Sequence, residues 1–149
     1  MEINILSDEY FMRIALAEAQ KAFDADEIPV GAVIVCKGQI IAKAHNMTEK
    51  LNDVTAHAEM MAFTSASNFL NSKYLPDCTL YVTLEPCIMC AGAAFWSQIG
   101  TLVYGAADDK RGYLNISSAI THPKTVVKGG VMAAECGEIL IDFFRKRRG

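Results

Sequence analysis

Residues 79–90 read TLYVTLEPCIMC, an apolar run that ends at a proline and is followed by two cysteines. The run over 79–84 is typical of a buried strand. Pro86 suits the first turn of a helix, because it has no amide proton to lose there, so we expect a helix over about 87–98. With a further apolar run at 101–105, this order predicts a right-handed crossover between two parallel strands.

The two cysteines of this stretch are spaced to bind one metal ion. On a regular helix Cys87 and Cys90 lie only about 60° apart, so both sulfur atoms can reach the same ion. Thirty positions before Cys87, the sequence His57-Ala58-Glu59 adds an imidazole and a carboxylate. Glu59 diverges from His57 by about 200° on a helix, which makes it a poor second ligand but allows it to reach a water molecule on the metal. We therefore predict His57, Cys87 and Cys90 as zinc ligands and Glu59 as the proton carrier.

The number of ligands distinguishes two kinds of zinc site. Three protein ligands leave a position for water, as in catalytic sites, whereas structural sites are closed by four. The chain's other cysteines and histidines are the candidates for a fourth ligand: Cys36, Cys78, Cys136, His45 and His122. Cys36 and Cys136 lie in apolar segments, where a thiol behaves as a small core side chain, and both histidines are isolated. The pattern favours a catalytic site, with a structural site as the alternative.

The segments before this cluster alternate between helix and strand. Ser7 is a suitable N-cap for a first helix. An unbroken apolar run at 30–36, a Lys37-Gly38 turn and a second run at 39–44 predict an antiparallel hairpin.

Two further helices complete the pattern. Asp53 or Thr55 is a suitable N-cap for a helix that carries His57. Towards the C-terminus, we expect a short strand at 125–128 and a helix at about 133–147.

Length and composition fit a single domain over residues 1–149. Apolar residues make up 52% of the chain, which is enough for a core and argues against disorder. The sequence shows neither a signal-peptide pattern nor an apolar run long enough to span a membrane. Five cysteines, an odd number, fit thiols and metal ligands better than disulfides. We expect a cytoplasmic protein without membrane contact.

The two clusters resemble those of the zinc-dependent nucleoside and nucleobase deaminases. More narrowly, the chain resembles bacterial tRNA-specific adenosine deaminases of the TadA type. This narrower resemblance extends over most of the chain. It is carried by segments 28–33, 55–59, 80–87, 89–93, 105–106 and 142–145, with Asn46, Asp108 and Lys110.

The resemblance implies a fold and a reaction. The fold is a three-layer α/β/α, cytidine deaminase-like fold with a mixed five-stranded sheet, in which the first two strands form an antiparallel hairpin and the later strands are parallel. The reaction is hydrolytic deamination of adenosine to inosine, at the wobble adenosine of a tRNA anticodon loop, by zinc-bound hydroxide with Glu59 as proton shuttle. The family also implies one Zn²⁺ per subunit and a homodimer.

By the same resemblance, five residues form the pocket for the base. Asn46 hydrogen-bonds the nucleoside, the backbone of Ala58 and Glu85 contacts its polar edge, and Val30 and Leu84 pack on the ring. Simpler interpretations stay open, since Val30 and Leu84 are also ordinary core residues and Asn46 is also an ordinary turn residue.

Basic residues are concentrated at the C-terminus. The net charge is −3, yet four of the fourteen basic residues lie at 145–148. The resemblance places this tail and the segment around residue 110 near the tRNA backbone, where cations contribute salt-dependent affinity. Alternatively, cations simply stabilise a helix C-terminus. The candidate nucleic-acid contacts are Asp108, Lys110, Arg111, Arg145, Arg147 and Arg148.

One departure from the family leaves other functions open. Where many relatives carry a stretch rich in Gly and Ala, this chain has RGYLNI at 111–116. The alternatives are a deaminase of free bases or nucleosides, such as guanine, cytosine or cytidine, and a zinc-stabilised binding module without turnover. An anticodon stem-loop assayed beside free bases distinguishes the three.

Overall fold

Five strands form one mixed sheet in the computed structural model, which describes residues 7–148. The strands are β1 Gly31–Cys36, β2 Gln39–His45, β3 Cys78–Leu84, β4 Thr101–Ala106 and β5 Val126–Lys128. Their order across the sheet is β2-β1-β3-β4-β5. β1 is antiparallel to both β2 and β3, whereas β3, β4 and β5 are parallel. The predicted hairpin and the predicted crossover are both confirmed.

Helices cover both faces of the sheet, which confirms the three-layer arrangement. They are α1 Asp8–Asp24, α2 Ala58–Leu70, α3 Ile88–Ser97 and α4 Ala133–Arg148. One apolar core lies between the sheet and α2 and α3, and a second lies between the sheet and α1 and α4. Within residues 7–148, no helix has the length and apolar character needed to cross a membrane.

The start of β1 lies directly against α1. Ser7 caps α1 as predicted, since its Oγ accepts a hydrogen bond from the Tyr10 amide at 3.1 Å. A Cβ atom at Gly31 would overlap the backbone of Ala15 in α1. Gly31 therefore allows the close packing that fixes the strand next to Val30.

Both helices of the metal cluster begin later than the sequence indicated. Neither Asp53 nor Thr55 caps α2; the Asp53 carboxylate instead accepts hydrogen bonds from the amide and hydroxyl of Thr55, at 2.8 and 2.7 Å. His57 itself is the N-cap residue of α2, and Cys87 is the N-cap residue of α3. Pro86 consequently precedes the N-cap and is not in the first turn. The expected helical start was wrong by one residue at Cys87.

Candidate metal centre

His57 and Cys87 occupy equivalent places in the fold. Each precedes a helix and has extended backbone, with φ −73° and ψ 152° at His57 and φ −72° and ψ 174° at Cys87. Cys90 follows in the first turn of α3. Cys87 also follows the carboxyl end of β3, which is parallel to β4. The cluster therefore lies at the edge of the sheet where α/β folds bind ligands.

The three predicted ligands lie at the spacing that one zinc ion requires. Nδ1 of His57 is 3.7 Å from Sγ of Cys87 and 3.5 Å from Sγ of Cys90. All three atoms lie within 4.8 Å of one another. Bonds of about 2.0 Å to nitrogen and about 2.3 Å to sulfur place two ligands of one tetrahedral zinc ion about 3.5 Å apart. The residues present therefore fit zinc in both donor type and spacing.

The other two histidines have partners of their own. Nδ1 of His45 is 3.2 Å from a carboxylate oxygen of Glu18. The ring of His122 packs on Phe95, with 5.5 Å between ring centroids. Neither histidine belongs to the metal-ligand group that residues 7–148 form.

The remaining cysteines also lie away from the cluster. Cys36 pairs with Cys78 across β1 and β3, at the end of β3 opposite to Cys87. Cys136 is buried in the core between the sheet and α1 and α4. None of the proposed fourth ligands therefore closes the site, in agreement with the open, catalytic arrangement.

The two thiols of the cluster differ in acidity. Hydrogen bonds from Cys90 and His57 lower the pKa of Cys87 to about 4, although burial opposes the shift. The pKa of Cys90 is raised, chiefly by its hydrogen bond to Cys87 and by burial. One thiolate is thus present at neutral pH, and thiolates are the form of cysteine that binds metal.

Glu59 lies in the first turn of α2, beside the ligands and away from bulk water. Its side chain is buried, with 4% relative exposure. Burial is the main cause that raises the pKa of Glu59 to about 7, and a backbone hydrogen bond and the His57 charge oppose it. A carboxyl group of this pKa both takes up and releases protons near neutral pH, which suits a proton carrier.

Two of the predicted pocket residues, Ala58 and Glu85, are close in sequence to the metal ligands, and Asn46 and Val30 are joined by a backbone hydrogen bond of 3.0 Å. Val30 and Leu84 are half-buried, whereas Asn46 and Ala58 are buried. The Asn46 side chain donates to the carbonyl of Ile28 at 3.2 Å and accepts from the amide of Thr48 at 3.3 Å. An amide side chain has two N–H donors and two acceptor sites, so one of each is left for a ligand.

Glu85 has a structural task that its sequence position did not reveal. Its backbone amide donates to Ala106 at 2.8 Å. Its buried carboxylate accepts the amides of Asp108 and Leu114, each at 3.0 Å, with one oxygen for each. We call the segment 107–115 the 110 loop. Glu85 therefore ties the two ends of the 110 loop to the end of β3.

Glu27 performs the same task for a second loop. Its side chain is 2% exposed. One oxygen accepts the amide of Glu49 at 3.0 Å, and the other accepts the amide of Lys50 at 2.8 Å. We call the segment 47–53 the 50 loop. Glu27 was not among the predicted site residues; its place between the end of α1 and the Ile28-Pro29 pair is the feature of the sequence that could have indicated it.

The candidate nucleic-acid contacts fall into two sets. In the 110 loop, Lys110 and Arg111 are exposed, whereas the Asp108 carboxylate accepts their two amides at 3.0 Å each. Asp108 thus shapes the loop that presents both cations.

The cations at the end of α4 are exposed and have local partners. Arg145 lies 4.0 Å from Asp142, and Arg147 lies over the ring of Phe143. Arg148 donates to the carbonyl of Phe144 at 3.3 Å. These contacts match the simpler expectation that the tail stabilises the end of its helix.

Comparison with known proteins gives concordant matches. Residues 6–106 match the cytidine and deoxycytidylate deaminase zinc-binding region. The tRNA-specific adenosine deaminase of Aquifex aeolicus (strain VF5) is 47% identical over 147 residues, which cover 96% of this chain and 97% of that protein. A solved structure from studies of A-to-I editing by tRNA:A34 deaminases at the wobble position has a TM-score of 0.82 and 43% identity, covering 88% of this chain and 99% of that chain.

A second group of similar structures has a different activity. The solved guanine deaminase of Bacillus subtilis is 41% identical and has a TM-score of 0.65. That match covers 68% of this chain and 65% of that chain. The match to this guanine deaminase is therefore nearly as identical as the match to the tRNA:A34 deaminase structure, but it covers less of both chains.

Proposed function

This chain belongs to the family defined by the cytidine and deoxycytidylate deaminase zinc-binding region, and on that basis we propose that it converts adenosine to inosine at the wobble position of a tRNA anticodon loop. The observation that carries the proposal is the open cluster of His57, Cys87 and Cys90, whose donor atoms lie within 4.8 Å, beside the buried Glu59. Identity of 47% to a tRNA-specific adenosine deaminase over nearly its whole length supports the choice of substrate.

Each residue of the cluster has a role in this reaction. His57 Nδ1 and the sulfur atoms of Cys87 and Cys90 would hold one Zn²⁺ per subunit. When bound, zinc acidifies water so that hydroxide is available near neutral pH. Glu59 takes one proton of the water and passes it to the ring nitrogen of the base as the oxygen bonds to the carbon that bears the amino group. Glu59 then takes the second proton from that oxygen and delivers it to the amine, so the carbon–nitrogen bond breaks, ammonia leaves and the carbonyl of inosine forms. Adenosine and water thus give inosine and ammonia.

Neighbouring residues orient the base. The remaining donor and acceptor of Asn46 face the nucleoside, and Val30 and Leu84 pack on its ring. The Ala58 amide is in the first turn of α2, where amides have no partner within the helix, so it is available to the polar edge of the base. The Glu85 amide already binds Ala106, which leaves the Glu85 carbonyl for that edge.

RNA binding and assembly complete the proposal. Lys110 and Arg111 contact phosphates, because they are exposed on a loop fixed beside Cys87. Arg145, Arg147 and Arg148 add a second cationic surface, residues 1–149 act as one domain, and two copies form a homodimer.

A free-base deaminase is the second candidate, because the guanine deaminase of Bacillus subtilis is 41% identical. That match covers only 65% of the guanine deaminase, against 97% of the Aquifex adenosine deaminase. Identity of 47% over nearly the whole of both chains therefore favours an RNA substrate.

The decisive experiment compares substrates with one zinc-loaded preparation. We expect inosine in an anticodon stem-loop that carries adenosine at the wobble position, and little ammonia from adenosine, guanine, cytosine or cytidine. The same stem-loop with guanosine at that position is the control. Ammonia released only from a free base would reject the RNA proposal, and a zinc-replete protein inactive on all of them would support a binding module.

A further inference from the structure

Two loops are joined to the metal centre at equivalent points. In the 50 loop, the amide of Met47 donates to the carbonyl of Ala56, the residue before His57, at 3.0 Å. In the 110 loop, the amide of Tyr113 donates to the carbonyl of Pro86, the residue before Cys87, at 2.9 Å. Each loop is therefore hydrogen-bonded to the residue that directly precedes a metal ligand.

The 50 loop wraps around the Glu27 carboxylate. Both oxygens of Glu27 accept backbone amides, and one also faces the Thr48 hydroxyl at 3.5 Å. The next residue, Ile28, accepts the Asn46 side chain through its carbonyl. Residues 27–28 thus fix both the pocket asparagine and the loop that follows it, on which Lys50 is exposed.

The 110 loop is fitted around the Glu85 carboxylate even more closely. A Cβ atom at Gly112 would overlap the carboxylate of Glu85. Asn115 closes the loop by donating from its side chain to the carbonyl of Asp108 at 2.8 Å. The loop therefore needs both the acceptor at Glu85 and the space at Gly112 in order to present Lys110 and Arg111.

We propose that Glu27 and Glu85 are positioning residues for the RNA substrate. Each buried carboxylate holds the backbone of one loop beside one metal ligand. The 110 loop presents Lys110 and Arg111 to the RNA backbone, whereas the 50 loop, in which Lys50 lies in sequence between the acidic residues Glu49 and Asp53, borders the base pocket next to Asn46. This inference rests on the proposed function only for the identity of the substrate.

Each position requires a carboxylate in particular. Both oxygens of each carboxylate face N–H donors. A glutamine side chain would keep one acceptor and place its NH₂ group against a backbone N–H, which leaves two buried donors facing each other. Glu27→Gln and Glu85→Gln are therefore nearly isosteric changes that release one attachment each.

The chain offers a matched control. Glu18 is also buried, with 5% relative exposure, but its carboxylate hydrogen-bonds the side chains of Lys21 and His45 and, within residues 7–148, no loop backbone. Glu18→Gln makes the same substitution at the same burial.

The first test is hydrogen exchange of the zinc-loaded protein without substrate. We expect exchange to accelerate about tenfold or more at the amides of Glu49 and Lys50 in Glu27→Gln, and at those of Asp108 and Leu114 in Glu85→Gln. Each variant should leave the other loop unchanged, and Glu18→Gln should leave both unchanged. Unchanged exchange in the expected loop would overturn the anchoring role, whatever the substrate.

The second test is steady-state kinetics on the anticodon stem-loop. For both loop variants we expect zinc content to stay at the wild-type level and KM to rise by a larger factor than kcat falls, while Glu18→Gln changes neither. Faster exchange with an unchanged KM would overturn the positioning role. A wild-type protein inactive on the stem-loop would refute the proposed function and the kinetic half of this inference, while exchange would still decide the anchors.

Further variants test the same contacts if a glutamine variant fails to fold. Glu27→Asp and Glu85→Asp keep the charge and withdraw the carboxylate by one methylene group. Gly112→Ala approaches the same contact from the loop, and the same acceleration at Asp108 and Leu114 is expected. Normal exchange in the 110 loop of a folded Gly112→Ala variant would contradict the role of Glu85.

Discussion

The metal centre and the two loops beside it are stabilised in different ways. His57 and Cys87 lie at the starts of helices that pack on the sheet, so the core fixes their backbone. The 50 loop and the 110 loop wrap around the buried carboxylates of Glu27 and Glu85, and the 110 loop also buries the ring of Tyr113. The ligands are thus held by helices packed on the sheet, whereas both loops add hydrogen bonds from their backbone to a buried charge.

This difference separates chemistry from substrate binding. Damage to the metal centre should abolish turnover on every substrate. Damage to the loops should weaken the recognition of RNA and leave the metal in place. Variants at the two sites therefore test that separation.

Cys87→Ser should cause the largest loss. Removal of one thiolate leaves two protein ligands, so zinc should fall from about one ion per chain towards zero and inosine formation should fall below detection. Elemental analysis and the stem-loop assay measure both. Cys36→Ser, which changes a half-buried cysteine outside the cluster, should keep zinc and activity. Full activity of a zinc-free Cys87→Ser protein would refute the assignment of this ligand.

Glu59→Gln should separate metal binding from proton transfer. The amide keeps the shape of the side chain but cannot carry the proton, so kcat should fall by about 10²–10⁴-fold while zinc content is unchanged. Single-turnover inosine formation measures the chemical step. Retention of more than half of the wild-type rate would contradict the role of Glu59.

The Lys110→Ala, Arg111→Ala double variant should affect RNA binding alone. We expect weaker binding of the stem-loop and a shallower salt dependence, by about 0.7 in the slope of log K against log salt for each phosphate that the variant no longer neutralises. Lys37→Ala is the control. Lys37 follows Cys36, which pairs with Cys78 at the end of β3 farthest from Cys87. Equal slopes for wild type and double variant would exclude an interaction between these cations and phosphates.

Glu18 should give the smallest effect, on stability alone. Burial favours a higher pKa for Glu18, but hydrogen bonds from Lys21 and His45 outweigh it and lower the pKa of Glu18 below its ordinary value. A carboxyl group whose pKa is lowered in the folded state stabilises the fold at pH values above its ordinary pKa, and this contribution disappears as the pH falls through the lowered pKa. Glu18→Gln should therefore cost about 1 kcal/mol or less at pH 7, and less in acid. Denaturant unfolding at pH 7 and in acid measures the loss in free energy of unfolding. A loss that is larger in acid would contradict the lowered pKa of Glu18.

The strands and the metal cluster were predictable because their signals are local. An unbroken apolar run identified β1, and the strand-to-helix junction at Pro86 identified the edge of the sheet that bears the cysteines. The two helix starts were wrong: His57 and not Asp53 or Thr55 is the N-cap of α2, and α3 begins one residue later than expected. Asp53 and Thr55 are good N-caps in isolation, but they hydrogen-bond each other, which delays the start of α2 until His57.

The anchors of the two loops were not predictable in the same way. Glu27 and Glu85 accept amides more than twenty positions along the chain, with separations of 22 for Glu49 and 23 for Asp108. A glutamate is exposed by default, and its burial becomes visible only when the chain folds its donors around it. The same holds for Gly112, whose need for a missing Cβ depends on Glu85.

Glu27 and Glu85 bind their loops chiefly through main-chain N–H groups, so the side chains at Glu49, Lys50, Asp108 and Leu114 have little part in the attachment. Solvent-facing positions of both segments are consequently open to wide sequence variation. A library randomised at residues 49–51 and 109–111 should yield new nucleic-acid preferences while zinc content stays near one ion per chain, which makes these two segments suitable targets for engineering.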